Sequence, residues 1–376
     1  MTGMVLGGVV LVIWLGMLFG HGGYWRARER DTADVPPDPA AWPDVTAIVP
    51  ARDEAEVIAR SIGSLLAQDY PGCFRILLVD DSSSDGTADI ARWLGDKRLD
   101  ILSGAPLPAG WTGKLWAVSQ GIAAAGEPDY LWLTDADIEH APDTLRALVG
   151  RAEGRTLSLV SLMARLRCDT RAEHGLVPAF IYFFQMLYPF GRVNRPGGIA
   201  AAAGGCMLVR REALEQAGGI AAIRGALVDD CAFGALIKRQ GPIWLGLTDR
   251  SRSIRPYPDL ASIAAMISRS AYAQLGYSPW ALAGTILGLA LVFAAPPLLA
   301  LFGGGPDRIM GAVAWLLMAL SFQPMLHFYR RSPLWGAALP AIAGFYAWCT
   351  LLSGWQHHRG RGGMWKGRSQ AAAGRG

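Results

Sequence analysis

The chain has 376 residues, of which 52% are hydrophobic and 18% are charged. Soluble domains carry about 25% charged residues, so we expect part of this chain to lie in lipid. The formal net charge of +4 is too small to indicate a nucleic-acid partner, and five scattered cysteines without a Cys-x-x-Cys pair argue against a disulfide framework or a zinc site. The length suits one catalytic domain with a membrane module.

The N-terminal segment 1–25 contains an uncharged apolar stretch, Met4 to Gly20, that is followed by Arg26, Arg28 and Arg30. A secretory signal carries its charge before the apolar stretch, whereas here the charge follows it. The positive-inside rule then places the arginines in the cytoplasm. We predict a signal-anchor transmembrane helix in this segment.

A linker is predicted at 26–43, where Pro, Ala and Asp dominate, and strand and helix patterns alternate from 44 to 256. Such alternation with apolar strands predicts an α/β fold, with a mostly parallel sheet covered by helices. Ligands bind beyond the carboxyl ends of the strands in sheets of this kind. The predicted strands are Val45–Val49, Arg75–Val79, Leu99–Leu102, Tyr130–Thr134 and Leu157–Met163, and the first predicted helix is Glu54–Gln68.

Polar residues follow two of these strands. Asp80 and Asp81 begin a Ser- and Gly-rich turn, where adjacent carboxylates can accept hydrogen bonds from a base or a ribose. Asp135 and Asp137 follow the strand that ends at Thr134, and two carboxylates one residue apart can bind one hard cation such as Mg²⁺ together with phosphate oxygens. An ordinary solvated turn would give either pattern.

Two further charged positions lie at predicted helix starts. Lys114 and the free N–H groups of its helix could bind phosphate, although a surface lysine gives the same pattern. Asp229 and Asp230 precede another helix, where one carboxylate could act as a general base on an acceptor hydroxyl and the other could cap the helix.

The C-terminal part contains a predicted membrane module at 280–355 with about three apolar helices, followed by a basic tail at 356–376. Three crossings after a cytoplasmic domain would place this tail outside, against the positive-inside rule. One stretch could therefore be re-entrant, such as the first, which contains Pro296 and Pro297. The number of crossings stays open.

Two shorter apolar segments could lie in the membrane interface or be buried core helices. The first is Leu176–Phe190, which is too short to span a bilayer. The second is the predicted interfacial helix at 257–279, where apolar residues recur at helical spacing.

Several of these motifs together resemble the inverting glycosyltransferase family 2, which has the GT-A fold. The matching segments span roughly Asp44 to Ile254 and are Ala47-Ile-Val-Pro-Ala-Arg-Asp-Glu54, Val79-Asp-Asp-Ser-Ser-Ser-Asp-Gly-Thr87, Thr134-Asp-Ala-Asp137, Gly204-Gly-Cys-Met-Leu-Val-Arg210 and Val228-Asp-Asp230. The apolar C-terminal stretches and the terminal Gly363-Met-Trp-Lys-Gly-Arg368 are similar to the hopanoid-biosynthesis-associated membrane glycosyltransferases, and more distantly to ceramide glucosyltransferases.

The resemblance implies a role for each matching residue. Asp81, with Arg52 and Glu54 nearby, would bind the nucleoside, and Lys114 would help to hold the donor. Asp135 would contact ribose or the metal, and Asp137 would hold Mg²⁺ or Mn²⁺.

Asp230 would be the catalytic base. The Gln-x-x-Arg-Trp motif of processive members is absent, since Ser268-Arg-Ser-Ala-Tyr272 stands in its place. This difference favours transfer of one sugar, with Arg269, Trp365 and Arg368 as substitutes for gating or phosphate binding.

The predicted function is therefore inverting, metal-dependent transfer of a single sugar from a nucleotide-sugar donor, a UDP-sugar, to a lipid acceptor, which could be of the hopanoid type. The predicted location is the inner membrane, crossed several times, with the catalytic domain facing the cytoplasm. Two alternatives stay open at this point: a nucleotidyltransferase on the same fold, and a non-catalytic scaffold that binds nucleotide-sugar. A transporter or channel is disfavoured, because the apolar stretches lack intramembrane charges.

Overall fold

The computed structural model describes residues 5–33 and 36–360, together with the backbone of 2–4, 364–365 and 368–369. Asp34 and Val35 of the predicted linker and most of the predicted basic tail lie outside the described residues, as do the side chains of Trp365 and Arg368.

The chain divides into two compact units. The sheet unit contains Glu29–Arg167, Arg192–Pro256 and the chain from Trp365, and the helical unit contains the chain up to Arg28, Cys168–Gly191 and Tyr257–Met364. This division assigns residues 168–191 to the helical unit, although they lie within the predicted catalytic domain 44–256.

The strands are β1 Val45–Ala51, β2 Phe74–Asp80, β3 Leu99–Ser103, β4 Tyr130–Leu133, β5 Ile138–His140, β6 Leu159–Arg165, β7 Met207–Arg210, β8 Ile243–Ser253, β9 Met364–Trp365 and β10 Arg368–Ser369. The α-helices are α1 Thr2–Gly20, α2 Ile58–Leu66, α3 Thr87–Arg92, α4 Gly113–Ala124, α5 Thr144–Gly154, α6 Arg171–Leu187, α7 Phe190–Val193, α8 Arg211–Gln216, α9 Asp229–Lys238, α10 Leu260–Ser268, α11 Ala271–Gln274, α12 Pro279–Leu289, α13 Ala295–Phe302, α14 Pro306–Phe328 and α15 Leu339–His358. A π-helical segment, Ala290–Ala294, joins α12 to α13.

The sheet has the strand order β3-β2-β1-β4-β7-β6-β8-β5. Strand β1 pairs in parallel with β2 and β4, and β2 pairs in parallel with β3. Strand β7 runs antiparallel to β4 and β6, and β5 runs antiparallel to β8. The predicted α/β fold with a mostly parallel sheet is therefore confirmed.

Strand β1 lies at the centre of the core, and all seven of its residues are buried. Helix α4 approaches it closely because Gly121 has no side chain: a Cβ there would lie 2.5 Å from Ile48 Cγ2. Thr112 caps the helix, with its hydroxyl accepting from Leu115 N. This packing fixes Lys114 at the start of α4.

Several predicted elements have different bounds in the structure. The helix predicted from Glu54 begins at Ile58, since Glu54 N donates to Thr87 Oγ1 at 2.8 Å and its segment forms a turn instead. The strand predicted at 157–163 is β6. Sequence patterns did not predict β5, β7 or β8, because β5 and β7 have only three and four residues and β8 carries charges along half its length.

Part of the predicted linker is ordered against the sheet. Leu247 N donates to Glu29 O at 2.8 Å, and Asp31 N donates to Leu247 O at 3.0 Å. Arg151, which is buried, donates to Asp31 O and Ala33 O at 2.9 and 2.7 Å. Residues 29–33 therefore extend the sheet unit along β8.

In the helical unit, two helices of the described chain are long and apolar enough to cross a membrane, Pro279–Phe302 and Pro306–Phe328. The apolar helix Val5–Gly20 is shorter, and α15 is not among the helices that meet this test. The interfacial helix predicted at 257–279 is broken into α10 and α11. Helix α6 buries ten of its residues, which favours a core helix for this segment.

The proline pair in the first of these helices is accommodated without ending it. Pro296 has no N–H, so the carbonyl of Val292 lacks its usual helical partner. Trp14 Nε1 of α1 donates to that carbonyl at 2.9 Å, and the π-helical segment lies at the same place. The helix therefore continues through the prolines.

Candidate active site

Arg52 and Asp81 lie side by side at the carboxyl edge of the sheet. They follow β1 and β2, whose parallel register pairs Ala51 with Asp80. Arg52 Nη1 donates to Asp81 O at 2.5 Å and lies 3.6 Å from the Asp81 carboxylate, which is buried. Arg52 Nε and Asp80 Oδ1 are buried without a hydrogen-bond partner among the described residues. Such unsatisfied groups are expected where a polar ligand binds.

Glu54 and Asp137 share one guanidinium, that of Arg255, and these three residues are named the Arg255 cluster. Arg255 Nη2 donates to both Glu54 oxygens at 2.7 and 2.8 Å, and its Nε donates to Asp137 Oδ2 at 2.7 Å. Burial opposes the charge of Arg255, but Asp137 and Glu54 outweigh burial and raise its pKa. The predicted site did not include Arg255, which no sequence motif marked.

Lys114, Asp135 and Asp229 form a second group, named the Lys114 cluster. Lys114 Nζ lies 2.8 Å from Asp135 Oδ1 and 3.1 Å from Asp229 Oδ2. Burial opposes the ammonium charge, but the two carboxylates raise the pKa of Lys114. The ammonium thus joins the turn after β4 to the first turn of α9, which the chain separates by more than ninety residues.

Asp230 is adjacent to this cluster and is held by backbone donors. Gly204 N donates to its Oδ2 at 3.3 Å, and Cys231 N donates to its Oδ1 at 2.7 Å. Burial and the neighbouring Asp229 raise the pKa of Asp230 to about 6. A carboxyl group with this pKa is ionised near neutral pH and can still accept a proton, as a general base must.

One pocket lies against the Lys114 cluster. Lys114, Asp135 and Asp229 supply its charged wall, and apolar side chains supply most of the rest. A Cβ on Gly204 would lie 3.2 Å from Lys114 Nζ, so a side chain there would crowd the ammonium. The other lining residues are Pro50, Leu115, Val118, Leu133, Thr134, Met207, Ile220 and Phe233.

His140 stabilises the end of β4, next to the turn that carries Asp135. The Thr134 hydroxyl donates to Gly205 O at 2.9 Å and so accepts from His140 Nε2 at 2.8 Å, while His140 Nδ1 accepts from Ser251 Oγ at 2.9 Å. Burial lowers the pKa of His140 to about 3, so the ring is neutral. This neutral histidine fixes the strand end that presents Asp135.

Asp135 and Asp137 supply some, but not all, of the oxygen ligands that a hard divalent ion needs. Among the described residues no group of three His, Cys, Asp or Glu side chains is placed to hold a metal. Magnesium is nevertheless commonly bound by one or two carboxylates together with substrate phosphate oxygens. The two carboxylates therefore suit an ion that arrives with a diphosphate, rather than a preformed protein cage.

Comparison with known proteins agrees with this arrangement. Residues 46–218 match the family model described as Glycosyl transferase family 2. The match includes every residue of the two clusters except Asp229 and Arg255. Residues 46–218 form a family 2 glycosyltransferase domain.

Relatives of this glycosyltransferase domain include an N-acetylglucosaminyltransferase of Mesorhizobium japonicum, 26% identical over 189 residues that make up 49% of this chain and 43% of the relative. A beta-monoglucosyldiacylglycerol synthase of Trichormus variabilis is 28% identical over 185 residues, 47% of this chain and 38% of that one. The chain thus spans less than half the length of these curated relatives.

The solved structure of the mannosyltransferase PcManGT from Pyrobaculum calidifontis, in complex with GDP-Man and Mn²⁺, has a similar fold. It aligns with 92% of this chain and 99% of its own, with a TM-score of 0.56 and 20% sequence identity. This likeness shows that the glycosyltransferase domain shares the GT-A-like fold.

Proposed function

We propose that this protein transfers one sugar from a nucleotide-sugar donor, a UDP-sugar, to a membrane lipid, with inversion at the anomeric carbon. The observation that supports this most directly is the Lys114 bridge. It places the Asp135-Ala-Asp137 turn, which suits a diphosphate and a metal, against the helix start that carries Asp230. A group for the leaving phosphate and a base for the acceptor then lie next to each other.

On the donor side, Asp81 and Arg52 would bind the nucleoside. Arg52 Nε, which lies 3.9 Å from Asp53 Oδ2 and makes no hydrogen bond among the described residues, could donate to it. Lys114 would bind the diphosphate, whose negative charge its ammonium stabilises. Mg²⁺ or Mn²⁺, held by Asp135 and Asp137, would supply a Lewis acid for the leaving diphosphate.

On the acceptor side, Asp230 would take the proton of a hydroxyl group, which attacks the anomeric carbon in line with the leaving group. A single displacement of this kind inverts the configuration. Asp229 is held in the ion pair with Lys114, so it would position that ammonium and keep the pKa of Asp230 raised. The two adjacent carboxylates would thus have different roles.

A lipid acceptor is supported by two separate facts. A relative is named beta-monoglucosyldiacylglycerol synthase, and the chain contains two helices with the length and composition of membrane spans. Many large apolar side chains of the helical unit are exposed, among them Leu287, Phe302 and Leu316. We propose that these helices anchor the protein in the inner membrane, with a hopanoid-type lipid as one acceptor to test.

The deciding experiment incubates purified protein with Mg²⁺ or Mn²⁺, a panel of nucleotide-sugars and membrane lipid extract. Mass spectrometry of the lipids should show a mass increase of one sugar, with release of nucleoside diphosphate. Release of pyrophosphate would instead indicate a nucleotidyltransferase. Donor binding without any product, with every acceptor offered, would contradict the proposal and favour a non-catalytic scaffold.

A further inference from the structure

Arg255 occupies an oxygen of Asp137 that a metal ion would need. Its Nε lies 2.7 Å from Asp137 Oδ2 in an ion pair whose side chains are mostly shielded from solvent. A divalent ion binds carboxylate oxygens at about 2.0–2.1 Å for Mg²⁺. A guanidinium and a dication on the same carboxylate repel each other strongly at such distances. Tight metal binding by Asp137 therefore requires Arg255 to withdraw.

The geometry allows Arg255 to withdraw without losing its second partner. The contact with Asp137 uses Nε, whereas both contacts with Glu54 use Nη2. Ile254 N donates to Asp137 O at 2.9 Å, which fixes the backbone next to Arg255. Because the two carboxylates are bound by different nitrogens, the contact with Asp137 can break while those with Glu54 remain.

The ion pairs of the turn show what a metal ion has to displace. Lys114 lies between Asp135 and Asp229, and Arg255 lies between Asp137 and Glu54, so each carboxylate of the turn already has a cationic partner. A metal ion that binds Asp137 therefore competes with Arg255 for it. A bound diphosphate gives the displaced guanidinium another anionic partner.

We propose that Arg255 is a movable counter-cation: it closes the divalent-ion site in the donor-free protein and turns towards the donor's diphosphate when nucleotide and metal bind together. This inference rests on the proposed function. Its consequence is that the protein binds divalent ions weakly in the absence of nucleotide, and that nucleoside diphosphate and metal strengthen each other's binding.

The test is a titration of Mn²⁺ alone against the full-length protein and its Arg255→Gln variant, with free Mn²⁺ followed by electron paramagnetic resonance. Arg255→Gln should bind Mn²⁺ about tenfold more tightly than the original chain, within the range of ordinary coupling between sites. A rigid structural role would give the opposite result, because loss of the ion pair would loosen Asp137. Unchanged or weaker Mn²⁺ binding by Arg255→Gln would overturn the inference.

The matched control is Arg60→Gln. Arg60 also forms a forked pair, donating from Nε and Nη2 to the two oxygens of Glu139 at 2.8 and 2.6 Å, two residues from Asp137. Its loss should leave Mn²⁺ affinity within twofold of the original. An equal gain in affinity from Arg60→Gln would also overturn the inference, because any loss of positive charge near the turn would then suffice.

A second arm repeats the titration with UDP or GDP present. Nucleotide should tighten Mn²⁺ binding in both proteins. The factor should be about tenfold larger in the original chain than in Arg255→Gln. If neither protein binds Mn²⁺ with any nucleotide, both this inference and the proposed metal dependence fail. If the original chain transfers sugar with Mn²⁺ and the two proteins show equal coupling, this inference alone fails.

Arg255→Lys covers the case in which Arg255→Gln does not fold, as judged by circular dichroism. A lysine keeps the charge but cannot form the fork with Asp137 and Glu54 together. Mn²⁺ alone should bind this variant more tightly than the original chain. An unchanged affinity would again contradict the role given to Arg255.

Discussion

The Lys114 and Arg255 clusters neutralise the same turn with two different cations. Lys114 places a single ammonium between Asp135 and Asp229, at 2.8 and 3.1 Å, and so links the turn to the helix of the presumed base. Arg255 uses separate nitrogens for Asp137 and Glu54, and so links the turn to the segment after β1. A point charge between two carboxylates suits permanent bridging, whereas a fork can release one partner and keep the other. The predictions below test this division, from the largest expected effect to the smallest.

Asp230, the proposed base beside the Lys114 cluster, should give the largest effect. Asp230→Asn should lower kcat about 10³-fold, within the range for general bases, while the dissociation constant of the donor changes little. Product formation measures kcat, and calorimetry with nucleotide measures the dissociation constant. Asp89→Asn, on the exposed face of α3, is the control and should keep full activity. Substantial transfer by Asp230→Asn would move the role of base to Asp229.

Removing the bridge itself should affect both activity and stability. Lys114→Met leaves Asp135 and Asp229 without their shared cation, so kcat/KM should fall about 10²-fold. The free energy of unfolding should fall by about 1–3 kcal/mol, less than for a fully buried pair because these side chains are partly exposed. Denaturant titration measures the stability, with Lys97→Met as the control. A stable, active variant would show that the bridge has no function.

In the Arg255 cluster, a change at Asp137 should cause a smaller loss, and this loss should be in donor affinity. Asp137→Asn should weaken metal-dependent donor binding at least about tenfold, because the ion loses a charged ligand. Binding of nucleotide in the presence of EDTA should change much less. The difference between the two titrations is the quantity to measure. An equal loss with and without metal would mean that Asp137 contacts the nucleotide itself.

The pH dependence should follow Asp230. Burial and Asp229 raise its pKa to about 6, so the free protein loses the ionised base as the pH falls through 6. The value of kcat/KM should therefore decline about tenfold per pH unit below 6 and level off above it. A flat profile between pH 5 and 8 would contradict the assignment.

The smallest effect is expected at His140, which titrates far below this range. Its lowered pKa means that the folded protein keeps the ring neutral while the unfolded chain takes up a proton near pH 6.5, so stability is full above that pH and is lost as the pH falls towards 3. His140→Gln should cost about 1–3 kcal/mol of unfolding free energy, because the Thr134 and Ser251 hydroxyls each lose their buried hydrogen bond to the ring. The acid limb of kcat/KM should stay in place. Loss of that limb would assign it to His140.

The sequence was sufficient for the parallel half of the sheet and for the residues that follow it. Strands β1, β2 and β4 are short, mostly apolar stretches, and charged residues lie at or just after their ends: Arg52, Asp80 and Asp135. Their carboxyl ends could therefore be located by pattern alone. Asp81, Asp135 and Lys114 lie where the alternation of strands and helices placed them. The α/β fold and its polar edge follow from the same pattern.

Arg255 and its contact with Glu54 could not be predicted in this way. Arg255 follows β8, whose second half contains Asp249, Arg250 and Arg252, so no apolar pattern marks the strand end. The role of Glu54 depends on a contact with a residue two hundred positions away. Such contacts follow from tertiary structure, which local periodicity does not encode.

The bond from Trp14 to the carbonyl that Pro296 leaves unpaired has a consequence for how the chain is made. The ribosome makes α1 long before the proline-containing helix, so the indole is synthesised before the carbonyl that it binds. A truncation that begins after Gly20 would leave that carbonyl without the indole donor. Variants that lack the first helix should consequently have a less stable proline-containing helix, even with the glycosyltransferase domain intact.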